Sequence, residues 1–295
     1  MSLVNELHNE KLLPGLPGWM PANVQYETIM GSVAYGVKKS DSDVDIYGFA
    51  IPPKSDLFPH LNGEILGFGT QTNRFQQYEK HHIPHKDKEY DISIYSIVKY
   101  FNLVMENNPN MLDSLFTPVY CIRHCTSIAQ LIRSNRDIFL HKGSYHKFMG
   151  YAYSQLSKIR TKKPKEGSKR WEDVQKHGFD CKFAYHIVRL TLEAEQILKE
   201  GTLVLDANSE ILKSVRNGEW TEDEVTKWFS DKELALKKLY ETSNIPHSPD
   251  EQRIKDLLLA CLEEHYGNLR GCGNSGSKAE FLIKRIKNMI EKEGF

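Results

Sequence analysis

The chain has 295 residues, with 39 Lys and Arg against 39 Asp and Glu, and 40% hydrophobic and 11% aromatic side chains. This composition excludes a disordered or fibrous chain, and its zero net charge gives no support to wholesale coating of nucleic acid, although a local basic patch is compatible with a neutral sum. No stretch approaches the roughly 18 apolar residues of a membrane span, and Met1 to Trp19 lacks a basic segment followed by an apolar run, so a cytoplasmic protein with no membrane partner is expected.

Five scattered cysteines, Cys121, Cys125, Cys181, Cys261 and Cys272, are odd in number and lack C-x-x-C spacing, so reduced thiols are expected in place of zinc ligands. In chain order, Val24 to Met30 reads as a strand, Gly31 begins a tight loop, and Val44 to Ile51 resumes an extended pattern that ends at Pro52 and Pro53. A polar stretch from Gln71 to Lys88 follows; its His81, His82 and His85 sit among Lys and Asp residues, which suits a solvated loop better than a ligand set. Tyr90 to Tyr95 alternates as a strand, and helical spacing runs from Ile97 through Met105 to a stop at Asn107-Asn108-Pro109-Asn110, before an apolar run from Met111 to Phe116. Beyond residue 118 the pattern is helical, with helices expected at Ser127–Arg133, Tyr145–Arg160, Asp180–Glu200, Glu222–Tyr240, Glu251–Tyr266 and Lys278–Lys292. The change of pattern predicts two domains, 1–118 and 119–295.

The stretch that carries chemistry is Gly31-Ser32, ten residues, then Asp43-Val44-Asp45. On a strand, residues two apart share a face, so Asp43 and Asp45 present two carboxylates to one point while Val44 and Ile46 go to the core. Such a pair is unfavourable until cations neutralise it, and Mg²⁺ commonly sits between one or two carboxylates and substrate phosphates. A glycine permits close backbone approach, and the serine after it supplies a hydroxyl and an amide toward phosphate oxygens, with Tyr35-Gly36 extending the loop. Taken singly, each piece is also what an ordinary solvated turn contains.

Together these residues resemble the signature of DNA polymerase β-like nucleotidyltransferases: Gly-Ser, about ten residues, then Asp-x-Asp. That resemblance implies an α/β (α+β) core with a mixed sheet, followed by a mostly helical C-terminal domain. It also implies a third carboxylate from a later strand, where Glu89 and Asp91 both stand at same-face spacing; Asp91 is favoured because it lies centrally in Tyr-Asp-Ile-Ser-Ile. A closer similarity runs through Tyr35-Gly36, Ser40-Asp41-Ser42-Asp43-Val44-Asp45-Ile46-Tyr47-Gly48, Tyr90-Asp91-Ile92, Asn107-Asn108-Pro109-Asn110, and Cys181-Lys182, His186 and Arg189-Leu190. This resembles the nucleotidyltransferase family linked to RNA repair, the RlaP group of bacteria and phages. The resemblance implies two Mg²⁺ ions, with Mn²⁺ as a substitute, on Asp43, Asp45 and Asp91, a nucleoside triphosphate donor expected to be ATP, and release of pyrophosphate. The acceptor is left open between an RNA end, a protein and a small molecule; a module that binds nucleotide or RNA without catalysis would not need all three carboxylates.

The helix from Asp180 adds a second constellation. Lys182, His186, Arg189 and Glu193 are spaced four, three and four apart, which places them on one stripe of a largely apolar helix. That stripe is either the helix's solvated side or a cleft-facing wall, in which case Lys182, His186 and Arg189 join Gly31, Ser32 and Tyr35 in binding nucleotide. Upstream, eight basic residues between Lys158 and Lys176 outnumber Glu166, Glu172 and Asp173, a balance that suits either a polyanion contact or a solvated loop. Arg170 and His177 also have an R-x₆-H ribonuclease-like spacing, a weak signal in two common residues.

Overall fold

The computed structural model describes residues 2–38, 43–58 and 74–268. Ser40 to Ser42 of the motif, the start of the 71–88 stretch, Cys272 and the helix expected at 278–292 lie outside the described residues.

Five strands form one mixed sheet: β1 (Val24–Ile29), β2 (Val44–Ala50), β3 (Gln77–His85), β4 (Lys88–Ser96) and β5 (Ile122–Cys125), in the order β3-β4-β2-β1-β5. The β2–β4 pair is parallel and its neighbours are antiparallel. Because side chains alternate along a strand, the sheet has two differently covered faces. Val24, Ile46, Ala50, Ile92 and Ile94 pack with Leu3, Val4 and Leu7 of α1 (Leu3–Asn9) and Met20 of the one-turn α2 (Met20–Asn23). Tyr26, Phe49 and Tyr95 point the other way, into a larger core shared with the helices.

The remaining helices are α3 (Lys54–Leu57), α4 (Ile97–Met105), α5 (Pro109–Phe116), α6 (Ser127–Ser134), α7 (Gly143–Thr161), α8 (Lys169–His177), α9 (Cys181–Glu200), α10 (Ser209–Arg216), α11 (Glu222–Thr242) and α12 (Glu251–Tyr266), of which all but α3 and α8 contribute to that core. Their starts are set by side-chain caps that satisfy free backbone N–H groups: Ser96 for α4, Asn108 with Pro109 for α5, Asp180 for α9, and a Thr221–Glu224 capping box for α11. Helix α9 runs through the middle of the helical layer, against α7, α11 and α10.

Two expectations change. Residues 77–85 are not a loop but the outer strand of a hairpin with β4, turned by Lys86 and Asp87, both at positive φ. Only Tyr78, Ile83 and His85 of that strand are buried, so its polar outer positions hid it. The sheet also has a strand beyond residue 118: β5, only four residues long, pairs with β1, and one continuous core runs from Tyr26 to Cys261.

Candidate active site

Strand β1 delivers the chain to the site. Met30 donates its N–H to the Asp45 carbonyl (2.8 Å), and Gly31–Val33 then makes one 3₁₀ turn closed by Ala34 N–H on the Gly31 carbonyl (3.1 Å). Gly31 has φ +67°, and a Cβ built on it would lie 2.4 Å from Oδ2 of Asp45, so only glycine lets the Asp45 carboxylate lie against this turn. Asp45 and Asp91 are register partners in the parallel β2–β4 pair, which puts their side chains next to each other on the helix-facing side of the sheet. Asp43, just before β2, is exposed at the mouth of the same cleft. Burial pushes the Asp45 carboxyl above its usual range, and neighbouring Asp91 and Asp43 push the same way against Lys182 and His81.

Asp91 is oriented by the strand beside it. A register shift between Lys80 and Ile83 turns the His82 N–H onto Asp91 Oδ1 (2.8 Å) and brings His81 Nδ1 to 3.3 Å from Oδ2. Glu89 pairs with the His82 ring (2.5 Å) on the solvent side and is not among the residues of the cleft. Asp91 is thus the carboxylate that joins Asp45. His85 faces elsewhere, its ring between Glu10 (3.0 Å) and Glu6 (3.3 Å), with the Lys86 ammonium also on Glu6. Glu6, Glu10 and His85 bring three ligand atoms within 4.8 Å of one another, yet they already contact one another, and Lys86 reaches Glu6 as well.

The opposite wall is cationic. Asp180 caps α9, accepting N–H bonds from Lys182 (2.9 Å) and Phe183, and its other oxygen pairs with Arg170 of α8 (3.4 Å). Lys182 is open to the cleft, His186 is half-buried one turn further in, and Arg189 and Glu193 are buried. The stripe is therefore no solvated side; it descends from the cleft into the core. Arg189 donates to Asp113 Oδ2 of α5 (2.6 Å) and to the Tyr35 hydroxyl, lies over the Tyr35 ring (4.4 Å to its centroid) and has Glu193 at 3.6 Å. Tyr35 donates to the same Asp113 oxygen at 2.6 Å. Helix α10 contributes Arg216, which reaches the Val37 carbonyl (3.4 Å) and stacks over Tyr185 (5.5 Å). Burial and the neighbouring Arg170 and Arg216 pull the Lys182 ammonium below its usual range. Burial, then Arg189, Lys182, Arg170 and Arg216, hold the His186 imidazole well below its own.

Between the walls lies a cleft of about 770 Å³ that collects Gly31, Ser32, Tyr35, Asp43, Asp45, Asp91, Lys182, His186 and Arg189. Asn110, Tyr47, Arg170 and Arg216 line it as well. Arg216 was not legible in the sequence: it ends a short helix before Asn217-Gly218, and only the fold carries it to the glycine turn. The donor set suits divalent magnesium or manganese in kind, since Asp45 and Asp91 offer hard oxygen ligands side by side and Asp43 lines the same cleft, although the three do not bring their ligand atoms within 4.8 Å of one another.

A mixed sheet that sets two adjacent strand carboxylates against a Gly-Ser turn, with a helical layer closing the cleft, is the framework of a polymerase β-like nucleotidyltransferase. The chain belongs to the RlaP family, described as the RNA repair pathway DNA polymerase beta family, whose family model matches residues 6–255. Among individual proteins, it is similar to an uncharacterized 38.9 kDa protein in the nrdC-mobD intergenic region of enterobacteria phage T4, with 27% identity over 138 residues. That match covers 46% of this chain and 38% of the phage protein. A crystal structure of a nucleotidyltransferase-like protein from Exiguobacterium sibiricum 255-15 aligns over 99% of this chain and 90% of its own, at 10% identity and a TM-score of 0.29. Among the described residues, no helix is long and apolar enough to cross a membrane.

Proposed function

We propose that the protein transfers a nucleoside monophosphate from a nucleoside triphosphate, ATP by family resemblance, to an acceptor hydroxyl, with an RNA end as the acceptor. The acceptor oxygen bonds to the α-phosphorus, the α–β phosphate bond breaks, and pyrophosphate leaves with the released charge. Asp43, Asp45 and Asp91 would hold Mg²⁺, two ions in the expected arrangement, with Mn²⁺ as a substitute. When bound, the metal neutralises the carboxylates and stabilises charge on the phosphates. The Ser32 hydroxyl and the amides of the glycine turn receive phosphate oxygens, Lys182 and Arg216 bind the anion from the facing wall, and Asp91 takes the acceptor's proton at a carboxylate oxygen. Tyr35 and Arg189 serve from beneath, holding the glycine turn against α9.

The observation that carries this reading is the pairing of Asp45 with Asp91 in register, with Asp45 pressed onto Gly31 and its carboxyl pushed up despite Lys182 and His81. Incubating the full chain with each α-³²P nucleotide and Mg²⁺, in the presence of RNA and of whole-cell protein, identifies donor and acceptor on one gel. Label in an RNA band is the expected result. Label in a protein band would make the enzyme a protein nucleotidyltransferase, and no label with any donor or acceptor would overturn the catalytic reading.

A further inference from the structure

The cleft does not end at the cationic wall. Arg170 lines it and also lines a second groove of about 570 Å³, whose other walls are Lys162, Lys163, Lys165, Ser168 and Asp180. The three lysines follow the end of α7 and are exposed, and among the described residues none has a carboxylate within ion-pair distance. Asp180 is already engaged, capping α9 and pairing with Arg170. Two of the groove's cations share one anchor: Arg170 stacks on the buried Phe183 ring at 4.6 Å, and the Lys162 ammonium lies 5.9 Å from the same ring. Helix α8 sends Glu172 and Asp173 toward the main cleft, so beyond Arg170, which Asp180 pairs, the positive charge is carried away from the cleft by the exposed lysines and not along α8.

A triphosphate bound between the carboxylates and Lys182 does not need a second, separate run of cations. A chain of phosphates does. We infer that the Lys162–Lys163–Lys165–Arg170 groove binds the sugar–phosphate backbone of a single-stranded nucleic acid whose terminal hydroxyl enters the cleft as acceptor. The inference rests on the transfer reading above for the word acceptor, and on the groove alone for the binding. Backbone contacts of this kind carry no base specificity and weaken steeply with salt, with a slope of roughly 0.7 per phosphate neutralised on a single strand.

The test uses the full chain and fluorescein-labelled RNA of about 12 nucleotides, within the usual span of single-strand sites. Anisotropy is followed across a salt series for wild type, for Lys162→Ala/Lys163→Ala/Lys165→Ala, and for the same three positions changed to Arg. A DNA strand of the same sequence tells phosphate recognition from recognition of the ribose hydroxyl. The Ala variant is expected to bind RNA roughly tenfold or more weakly at moderate salt, with a salt slope lower by about 2, while the Arg variant keeps both. ATP binding by equilibrium dialysis stays at the wild-type value in both. Transfer assays should show a higher KM for RNA in the Ala variant at unchanged kcat. Wild-type RNA affinity and salt slope in a folded Ala variant would overturn the groove, whatever the protein transfers. If wild type binds RNA through these lysines and transfers nothing, the groove stands and the transfer reading falls.

Discussion

Two aspartates, one lining the cleft and one buried behind its wall, live under different conditions. Asp113 is fully buried, yet one of its oxygens receives both the Tyr35 hydroxyl and the Arg189 guanidinium, so the chain itself answers its charge. Asp45 is half-buried beside Asp91 and Asp43, with Lys182 and His81 opposing them only in part, and its carboxyl is pushed up, as burial also pushes up that of Asp113. Burial alone therefore does not separate scaffold from site; what separates them is how directly the chain compensates the charge, by two contacts on one oxygen at Asp113 and by more distant groups at Asp45. The first holds the glycine turn to α9, and the second leaves carboxylates open to the cleft, where the proposed metal would meet them.

The sharpest break would come from the open side. Asp43→Asn and Asp45→Asn should each reduce Mg²⁺-dependent transfer below detection without lowering the melting temperature. Folding raises the Asp45 pKa, so its ionisation weakens the folded state at every pH above that value. An amide in place of the carboxylate removes this penalty, so Asp45→Asn should gain on wild type near neutrality and match it in acid. A folded double mutant that still transfers nucleotide would remove these carboxylates from the chemistry. Next, Asp91→Ala should damage kcat far more than Glu89→Ala, because only Asp91 lies beside Asp45 while Glu89 pairs with His82 toward solvent; the reverse order in parallel kcat measurements would misassign the third ligand.

On the closed side, Arg189→Ala strands Asp113 and should lower unfolding free energy by about 3–5 kcal/mol in urea titration. A wild-type midpoint, with only nucleotide affinity lost, would make Arg189 a ligand group like those above it. Lys182→Ala tests the open end of the same stripe: triphosphate affinity should fall roughly tenfold to a hundredfold, with stability moved by less than about 0.5 kcal/mol. The smallest effect concerns His186, whose folded pKa is depressed below its ordinary 6.5. As pH falls below about 6.5 the unfolded chain takes up a proton that the folded one refuses, so stability declines by up to about 1.4 kcal/mol per pH unit. His186→Gln should flatten that decline and leave stability above pH 7 unchanged, and a bound triphosphate should flatten it in wild type; identical acid limbs in denaturant melts would contradict the cationic surroundings assigned to this ring.

The carboxylate side was legible because strand alternation turns a spacing of two into a shared face, and the Gly-Ser turn stands close to it in the chain. The expected helices from residues 127 to 266 also appear, since capping side chains and apolar periodicity agree there. Strand β3 escaped because its outward residues are polar and its turn uses Lys86-Asp87, without the glycine that usually marks such a turn. Helix α8 escaped because none of its described side chains is buried, which leaves no apolar face to find. In Asn107-Asn108-Pro109-Asn110 the roles divide in a way no linear pattern reveals: Asn107 bonds the Phe139 carbonyl (2.7 Å), Asn108 caps α5, and Asn110 lines the cleft.

Gly48, the last residue of the motif, does not line the cleft and yet belongs to the motif. A Cβ there would come within 1.9 Å of the Tyr26 carbonyl oxygen and 3.2 Å of Ile94, wedging β1 away from β2. Since β1 carries the Gly31 turn and β2 carries Asp45, the first casualty of such a wedge is their mutual fit. A mutational screen for lost activity should therefore recover position 48 among its dead variants, and a screen for soluble protein should recover it too, whereas Asp45→Asn appears only in the first. That difference in where a variant surfaces separates the residues that shape the motif from those that use it.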